Sequence, residues 1–307
     1  MFGFGPKELG SLNYWGAALE VLSSIDRFEA SVGPISSPHD RACELAAQIK
    51  GTIVDYGEVH AAANGHSRFG NDFTDRGFVP NWDNNQPVHL VGHRLGGPTI
   101  RCLQTLLDQD YWGWGSDRKW VCSISTLSGS NNGSTATYYF GADEQSGLLR
   151  RSGGIVPLLG LLELYTSATG QALDLFYDFD LDHWGFQRLP DEDLATYLRR
   201  IGKSPFFWGA DNAFYAATLQ GARRGNGRWP TYPDTYYFST ITEQTFRNWF
   251  TGHYHPSPLM NPSLHATSIY MGKKKFIEDP ISTDNFNSAD WWENDGLLST
   301  YSQIAPH

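Results

Sequence analysis

The stretch that decides the fold runs from Gln86 to Leu107 and reads QPVHLVGHRLGGPTIRCLQTLL. Its first part, Gln86 to His93, is short and apolar with β-branched residues, which predicts a buried strand. Its second part, Gly96 to Leu107, has apolar residues at helical spacing, which predicts a helix. A strand that passes directly into a helix is the basic unit of an α/β fold.

The chain on either side of this stretch repeats the pattern. An amphipathic helix is predicted from Asp40 to Lys50, and a strand follows at Thr52 to Val54. Further strands are predicted at Lys119 to Leu127 and at Asp234 to Thr242. Alternating strands and helices predict an α/β protein with a mostly parallel sheet and helices on both faces. A long insertion, about residues 128–233, separates the last two strands, and lids are one common use of such insertions.

Length and composition predict one domain over residues 1–307, since hydrophobic residues at 40% and charged residues at 18% are ordinary globular values. The net charge of −10 argues against nucleic acid or an anionic membrane as a partner through bulk electrostatics. No stretch is long enough to predict a transmembrane span, and the first residues show no signal-peptide pattern. The three cysteines, Cys43, Cys102 and Cys122, leave at least one thiol unpaired and form no zinc-type pair.

The junction between the predicted strand and helix reads Gly92-His93-Arg94-Leu95-Gly96. This is the context of the G-x-S-x-G nucleophile elbow, in which glycines relieve crowding around a turn that points one side chain into a cleft. Arg94 stands where that motif has serine. The pattern alone is weak, because glycine-rich turns between strand and helix are common in α/β proteins.

Five segments give the chain a resemblance to a known family. They are IKGTIVDYGEVHAAANGHSRFG from Ile49, VHLVGHRLGG from Val88, YDFDLDHWGF from Tyr177, TYYFSTITEQTFRNWFTGHYHP from Thr235 and WWENDGLLSTYSQ from Trp291. In this order they resemble the zinc-containing thermoalkalophilic bacterial triacylglycerol lipases. The resemblance implies an α/β-hydrolase fold, an acylglycerol or other ester lipid as substrate at an interface, and a secreted protein.

The resemblance also implies roles for three positions. Arg94 takes the nucleophile position, Asp295 is the triad acid, and the backbone amide of Leu95 is an oxyanion donor. The family's catalytic histidine, its first oxyanion loop and most of its calcium ligands fall beyond the two ends of this chain. We therefore expect a fold that is incomplete at both termini, and a calcium site is doubtful. His307 has little weight as a replacement base.

Arginine in place of serine affects the nucleophile of the acyl-transfer reaction. Acyl transfer needs a hydroxyl activated by an imidazole, which a carboxylate orients. A guanidinium stays protonated and cannot attack an ester, so we expect the chain to be inactive as written. The resemblance implies that Arg94 and Asp295 face each other across the space of the absent imidazole, so we expect an ion pair between them; the alternative is that water solvates each group. The alternative function is a non-catalytic, zinc-stabilised pseudoenzyme that binds lipid or a protein.

By the same resemblance, Asp40, His60, His66 and Asp182 correspond to the four zinc ligands of the family. Two imidazoles and two carboxylates form a closed tetrahedral set, which predicts a structural Zn²⁺ site and disfavours a zinc hydrolase. The adjacent His183 is a candidate spare donor, but we expect it to be solvated. The spacing of the two histidines would be weak support by itself.

The apolar segment from Ser152 to Thr166 follows the start of the insertion and contains a Gly-Gly pair. The resemblance implies a lid helix over the acyl cleft, and lids of this kind open where their inner face meets lipid. An ordinary core helix is the competing interpretation.

Overall fold

The computed structural model describes residues 15, 21, 24–150, 181–187, 189–283 and 286–306. Its strands are β1 (Ile53–Asp55), β2 (Phe69–Asp72), β3 (Val88–His93), β4 (Val121–Leu127), β5 (Tyr236–Thr240), β6 (Thr245–Arg247) and β7 (Tyr254–Pro256). Its helices are α1 (Pro38–Lys50), α2 (Glu58–Asn64), α3 (Gly96–Asp108), α4 (Ala136–Tyr139), α5 (Leu194–Ile201), α6 (Pro205–Trp208), α7 (Ala213–Ala216), α8 (Leu219–Asn226), α9 (His265–Met271) and α10 (Thr300–Gln303). Short 3₁₀ turns lie at Arg118–Trp120, Asp182–Trp184, Pro262–Leu264 and Ser288–Trp291. The predicted lid and His307 lie outside the described residues.

The central sheet of the described part is parallel, in the order β3-β4-β5. Gly92 of β3 pairs with Thr126 of β4, and Leu127 of β4 pairs with Thr240 of β5. Parallel neighbours need a crossover connection, and here the long segment after Leu127 provides it. The predicted parallel arrangement of these three strands is confirmed.

The strand predicted near Thr52 forms, but it does not join the parallel sheet. β1 pairs antiparallel with β2, and the two make a small separate sheet. β6 and β7 make a second antiparallel pair, which forms a hairpin. No helix among the described residues is long and apolar enough to cross a membrane.

The main core lies where α3 packs against α1, β3 and β4. Leu103 and Leu107 of α3 are fully buried, as the apolar spacing of the sequence predicts. Trp82 is also fully buried and donates its indole N–H to the carbonyl oxygen of Trp120. This packing fixes α3 rigidly against the sheet, and with it the turn that precedes the helix.

A second, aromatic-rich core belongs mostly to the long connection between β4 and β5. Its buried members are Ile35, Leu95, Leu181, Phe186, Tyr197, Ile201, Phe206, Phe207 and Ala213. Leu95 directly follows Arg94, so this core meets the parallel sheet at the strand-to-helix turn. The long connection therefore packs against the turn that carries Arg94.

Candidate metal centre and strand-to-helix elbow

Helix α1 places Asp40 in the interior. Its N-cap, Ser37, accepts a hydrogen bond from the Asp40 amide, and Pro38 occupies the first turn, where no helical N–H bond is lost. Asp40 is fully buried in that first turn. A carboxylate is favoured there by the helix dipole, although a buried charge still needs partners.

Helix α2 and the turn after it bring two histidines to that carboxylate. His60 lies on α2, and Gly65 ends the helix with a φ of 83°, a left-handed cap that glycine adopts without strain. The amides of Gly65 and His66 both donate to the Ala61 carbonyl, which turns the chain back toward His60. The six-residue spacing of the histidines thus follows from one capped helix end.

The fourth member of the cluster is Asp211. It precedes Asn212, whose side chain caps α7 by accepting from the Tyr215 amide. One ligand atom from each of Asp40, His60, His66 and Asp211 lies within 4.8 Å of the others. His60 Nε2 is 3.0 Å from Asp40 Oδ1 and 3.1 Å from Asp211 Oδ2.

These separations fit a single tetrahedral ion. Metal–ligand bonds near 2.0–2.1 Å imply ligand-to-ligand distances of about 3.3 Å. His66 Nε2 lies 3.5 Å from Asp211 Oδ2 and 4.0 Å from Asp40 Oδ1. His66 Nε2 and Asp211 Oδ2 are both buried, and neither makes a hydrogen bond of good geometry, although His60 Nε2 lies 3.1 Å from that oxygen. Because such orphaned atoms are costly in a fold, and a cation between them would satisfy both, the cluster is a possible metal-binding site.

The protonation of His66 also suits a ligand. Its Nδ1 lies 2.8 Å from the carbonyl oxygen of Ser67, which can only accept, so Nδ1 carries the proton. The lone pair is then on Nε2, the atom that faces the cluster. A second hydrogen bond of this kind orients most metal-bound histidines.

Without a bound metal, the charges in the cluster favour the protonated form of His60. Burial opposes the charge on His60, but the adjacent carboxylates of Asp211 and Asp40 raise its pKa to about 9. Burial likewise opposes ionisation of Asp40, yet hydrogen bonds with His183 and His60 hold the pKa of that carboxyl well below its usual range. The two carboxylates therefore carry negative charge that a divalent cation would neutralise.

The prediction for Asp182 is wrong in this structure. Asp182 is exposed at the start of a 3₁₀ turn, and the cluster contains Asp211 in its place. The neighbouring His183 is buried, not solvated as expected, and its Nε2 lies 3.4 Å from Asp40 Oδ2. The segment around Asp182 therefore does approach the cluster, but it supports a ligand instead of providing one.

Sequence reasoning also missed the residues behind Asp40. His183 Nδ1 lies 3.3 Å from the Tyr56 hydroxyl, which donates to Glu44 at 3.0 Å. Glu44 in turn accepts from the Gly33 amide at 2.6 Å. These partners lie far apart in sequence, so no local pattern could have grouped them.

The strand-to-helix turn has the geometry of an elbow. Arg94 has a φ of 57°, a left-handed conformation that is strained for a side chain of this size. Its amide donates to Leu127 at the end of β4, and its carbonyl accepts from Ser130, so the turn is held from both sides. A Cβ on Gly92 would lie 2.4 Å from the backbone of Gly96, and therefore only glycine fits there.

The side chain of Arg94 points to the predicted triad acid. Its Nη1 donates to Asp295 Oδ2 at 2.5 Å, and the two side chains are only 13% and 6% exposed. The predicted ion pair is confirmed. Leu95 begins α3 as its N-cap residue, and its role as an oxyanion donor stays a prediction.

Asp295 is held by more than Arg94. The amides of Leu297 and Leu298 donate to its Oδ1, at 3.1 and 2.9 Å. The Thr242 hydroxyl and the Gln303 amide donate to its Oδ2, at 2.8 and 3.3 Å. Both oxygens are therefore saturated with donors, and in the described part of the chain none of these donors is a histidine.

Comparisons with known proteins agree with these features. A family model described as the lipase-like, C-terminal domain matches residues 11–113 and 112–307. Lipase 2 of Staphylococcus aureus (strain MSSA476) is 31% identical over 96% of this chain and 42% of its own length. The lipase of Staphylococcus hyicus is 29% identical, over 96% of this chain and 45% of its own length. The chain thus spans less than half of the length of these relatives.

Solved structures show the same relationship. EstA from Clostridium botulinum superposes with a TM-score of 0.84 at 31% identity, over all of this chain and 73% of that one. The crystal structure of Staphylococcus hyicus lipase gives a TM-score of 0.75 at 29% identity, over all of this chain and 78% of that one. With its parallel sheet, its elbow and this family-model match, the chain has an α/β-hydrolase-type fold and belongs to the lipase-like, C-terminal domain family.

Proposed function

We propose that this chain is a lipase-family domain whose elbow does not act as a serine-type nucleophile. One observation supports this above the others: the elbow position is Arg94, and its guanidinium is paired with Asp295. A guanidinium is protonated at any working pH and has no lone pair with which to attack an ester carbonyl. The residue that the motif presents to substrate is therefore a cation.

The pairing also removes the second component of the reaction. In a catalytic triad the carboxylate orients the imidazole and stabilises its charged form. Here Oδ2 of Asp295 is already shared by Arg94, Thr242 and Gln303. An imidazole would have to displace the guanidinium in order to reach that oxygen.

The substrate class that the fold supports is an ester lipid, because the relatives are lipases. On this proposal the domain keeps the lipase scaffold, and the elbow places a buried positive charge where the reacting acyl group would lie. The alternative is a non-catalytic pseudoenzyme that binds lipid or a protein through the same cleft.

We further propose that the four-residue cluster holds Zn²⁺ as a structural ion. Asp40, His60, His66 and Asp211 would bind it, and a set of two imidazoles and two carboxylates is typical of zinc. The ion would link α1 and the end of α2 to the long connection that carries Asp211, segments far apart in sequence. When bound, Zn²⁺ would neutralise the negative charges of the two carboxylates.

The elbow proposal is tested with a short-chain nitrophenyl ester and three proteins: the chain itself, Arg94→Ser and Arg94→Ala. We expect all three to stay at the rate of the uncatalysed reaction, because no described histidine bonds to Asp295. Turnover by the unaltered chain would contradict the proposal outright. Turnover by Arg94→Ser alone would show that Arg94 is the only block and that a base is present.

The zinc proposal is tested by elemental analysis of protein purified without chelator. We expect about one zinc per chain, lost on dialysis against a strong chelator and recovered on adding zinc back. Protein that folds fully and contains no transition metal would contradict it.

A further inference from the structure

The hairpin of β6 and β7 ends in two adjacent aromatic side chains that face water. Trp249 and Phe250 are 82% and 81% exposed, and their ring centroids lie 4.2 Å apart. Large apolar side chains are scattered singly on most surfaces, but two adjacent rings at one projecting turn form a continuous apolar surface. We refer to Trp249 and Phe250 as the aromatic tip.

Several backbone amides of this turn are paired within the turn itself. The Asn248 side-chain oxygen accepts from the amides of Phe250 and Thr251, at 3.0 and 3.1 Å. The Gly252 amide donates to the Asn248 carbonyl at 2.7 Å, and the Asn248 amide donates to His253 at 2.8 Å. An unpaired amide is very costly in an apolar phase, so this internal pairing lowers the cost of bringing the turn to the edge of such a phase.

Positive charge lies beside the hairpin. The Tyr254 amide donates to the Gly272 carbonyl at 2.9 Å, and Lys273 to Lys275 follow directly. Lys275 Nζ is 5.9 Å from the Trp292 ring, and the His253 ring packs on the same ring at 5.2 Å.

Two of these lysines form no ion pair with a described carboxylate. Lys273 and Lys275 are exposed, and neither forms an ion pair with a described carboxylate. Lys274, between them, is the one that pairs with an acid, Glu144. Exposed ammonium groups beside an apolar tip complement the phosphate groups of a phospholipid surface.

We propose that the aromatic tip anchors the protein to a phospholipid surface. Trp249 and Phe250 enter the boundary between headgroups and acyl chains, where aromatic rings are favoured, and Lys273 and Lys275 lie at the level of the phosphates. This inference does not depend on whether the elbow hydrolyses esters.

A phospholipid surface fits the tip better than a protein does. A stable protein partner would have to cover about 800 Å² on this side, whereas the tip is two side chains wide and projects from a turn. The net charge of −10 opposes strongly anionic membranes. Binding should therefore occur on zwitterionic phosphatidylcholine vesicles and should not require anionic lipid.

The experiment is cosedimentation of the 307-residue chain with phosphatidylcholine vesicles. We expect Trp249→Ala with Phe250→Ala to weaken partitioning about 100-fold, since burial of each ring is worth about tenfold or more. Leu259→Ala and Val59→Ala are matched controls, because these side chains are 88% and 85% exposed elsewhere. The controls should stay within about twofold of the unaltered chain.

A second measurement does not depend on the double variant. Vesicles with brominated acyl chains should quench tryptophan emission of the unaltered chain more than that of Trp249→Phe. Absence of vesicle binding, equal losses in the controls, or equal quenching in both proteins would overturn the proposal. So would a change of oligomeric mass in the double variant with vesicle binding unchanged, because the tip would then contact a second copy.

Discussion

Removing Asp295 from the buried Arg94–Asp295 pair should lower the free energy of unfolding more than removing Arg94 does. In Asp295→Asn, an NH₂ group replaces the oxygen that accepts from Arg94, Thr242 and Gln303, so donors then face donors. Arg94 is 13% exposed and keeps its charge without a partner. Leaving one member of a buried pair alone costs about 3–5 kcal/mol, and we expect that loss in the free energy of unfolding.

The reverse change is milder. In Arg94→Met, Asp295 keeps four donors, namely the amides of Leu297 and Leu298 and the side chains of Thr242 and Gln303. The variant loses one charge-assisted hydrogen bond, worth about 1.5–3 kcal/mol, but it also removes the unpaired buried Nε of Arg94. Methionine is strained at this φ as arginine is, so backbone strain does not contribute to the difference in the free energy of unfolding. We expect a net loss of about 1–2 kcal/mol.

Urea unfolding followed by circular dichroism measures both changes at neutral pH. Arg68→Met is the control, because Arg68 pairs with Asp55 on the surface with its side chain 43% exposed, and such pairs contribute at most about 1 kcal/mol. The expected order of destabilisation is Asp295→Asn, then Arg94→Met, then Arg68→Met. If Asp295→Asn costs no more than the surface control, the pair is solvated and the reasoning about the elbow is refuted.

Three further predictions follow from the same geometry. Asp211→Ala should remove bound zinc, detected by elemental analysis, and lower stability by about 3–4 kcal/mol at zinc concentrations 100- to 1000-fold above Kd, whereas Asp182→Ala should do neither. Gly92→Ala should destabilise by about 3 kcal/mol in urea unfolding, because its Cβ meets backbone, whereas Gly96→Ala has open space and should be neutral or slightly stabilising. Burial lowers the pKa of His93 to about 3, so the unfolded chain binds one more proton below pH 6.5. Stability should then fall between pH 6.5 and 5 by about 1.7 kcal/mol more than in His93→Gln, and equal losses would contradict the burial of His93.

Local signals were enough to predict the sheet and the elbow. The apolar runs that became β3, β4 and β5 are flanked by turn residues, and α3 has a clear helical spacing. The strand after Thr52 was found, but its antiparallel pairing was not, because three residues contain too little pattern to choose a partner.

The metal cluster shows where sequence reasoning ends. Asp40, His60 and His66 are brought together by the capped start of α1, a helix that the sequence predicts from Asp40, and by the glycine-terminated end of α2. Asp211 lies far along the chain, and no spacing rule relates it to the histidines. The resemblance implies Asp182 instead, in a segment that does approach Asp40, but through the ring of His183. Long-range packing decides which of two nearby acids turns inward.

The central claim, that the elbow presents no activated nucleophile, is tested most directly by a fluorophosphonate probe. This reagent forms a covalent bond with a serine only when its hydroxyl is activated by a neighbouring base. The account predicts that the intact mass of the folded 307-residue chain is unchanged after incubation, as in a heat-denatured control. A stoichiometric adduct on any serine of the folded chain, absent from that control, would contradict it.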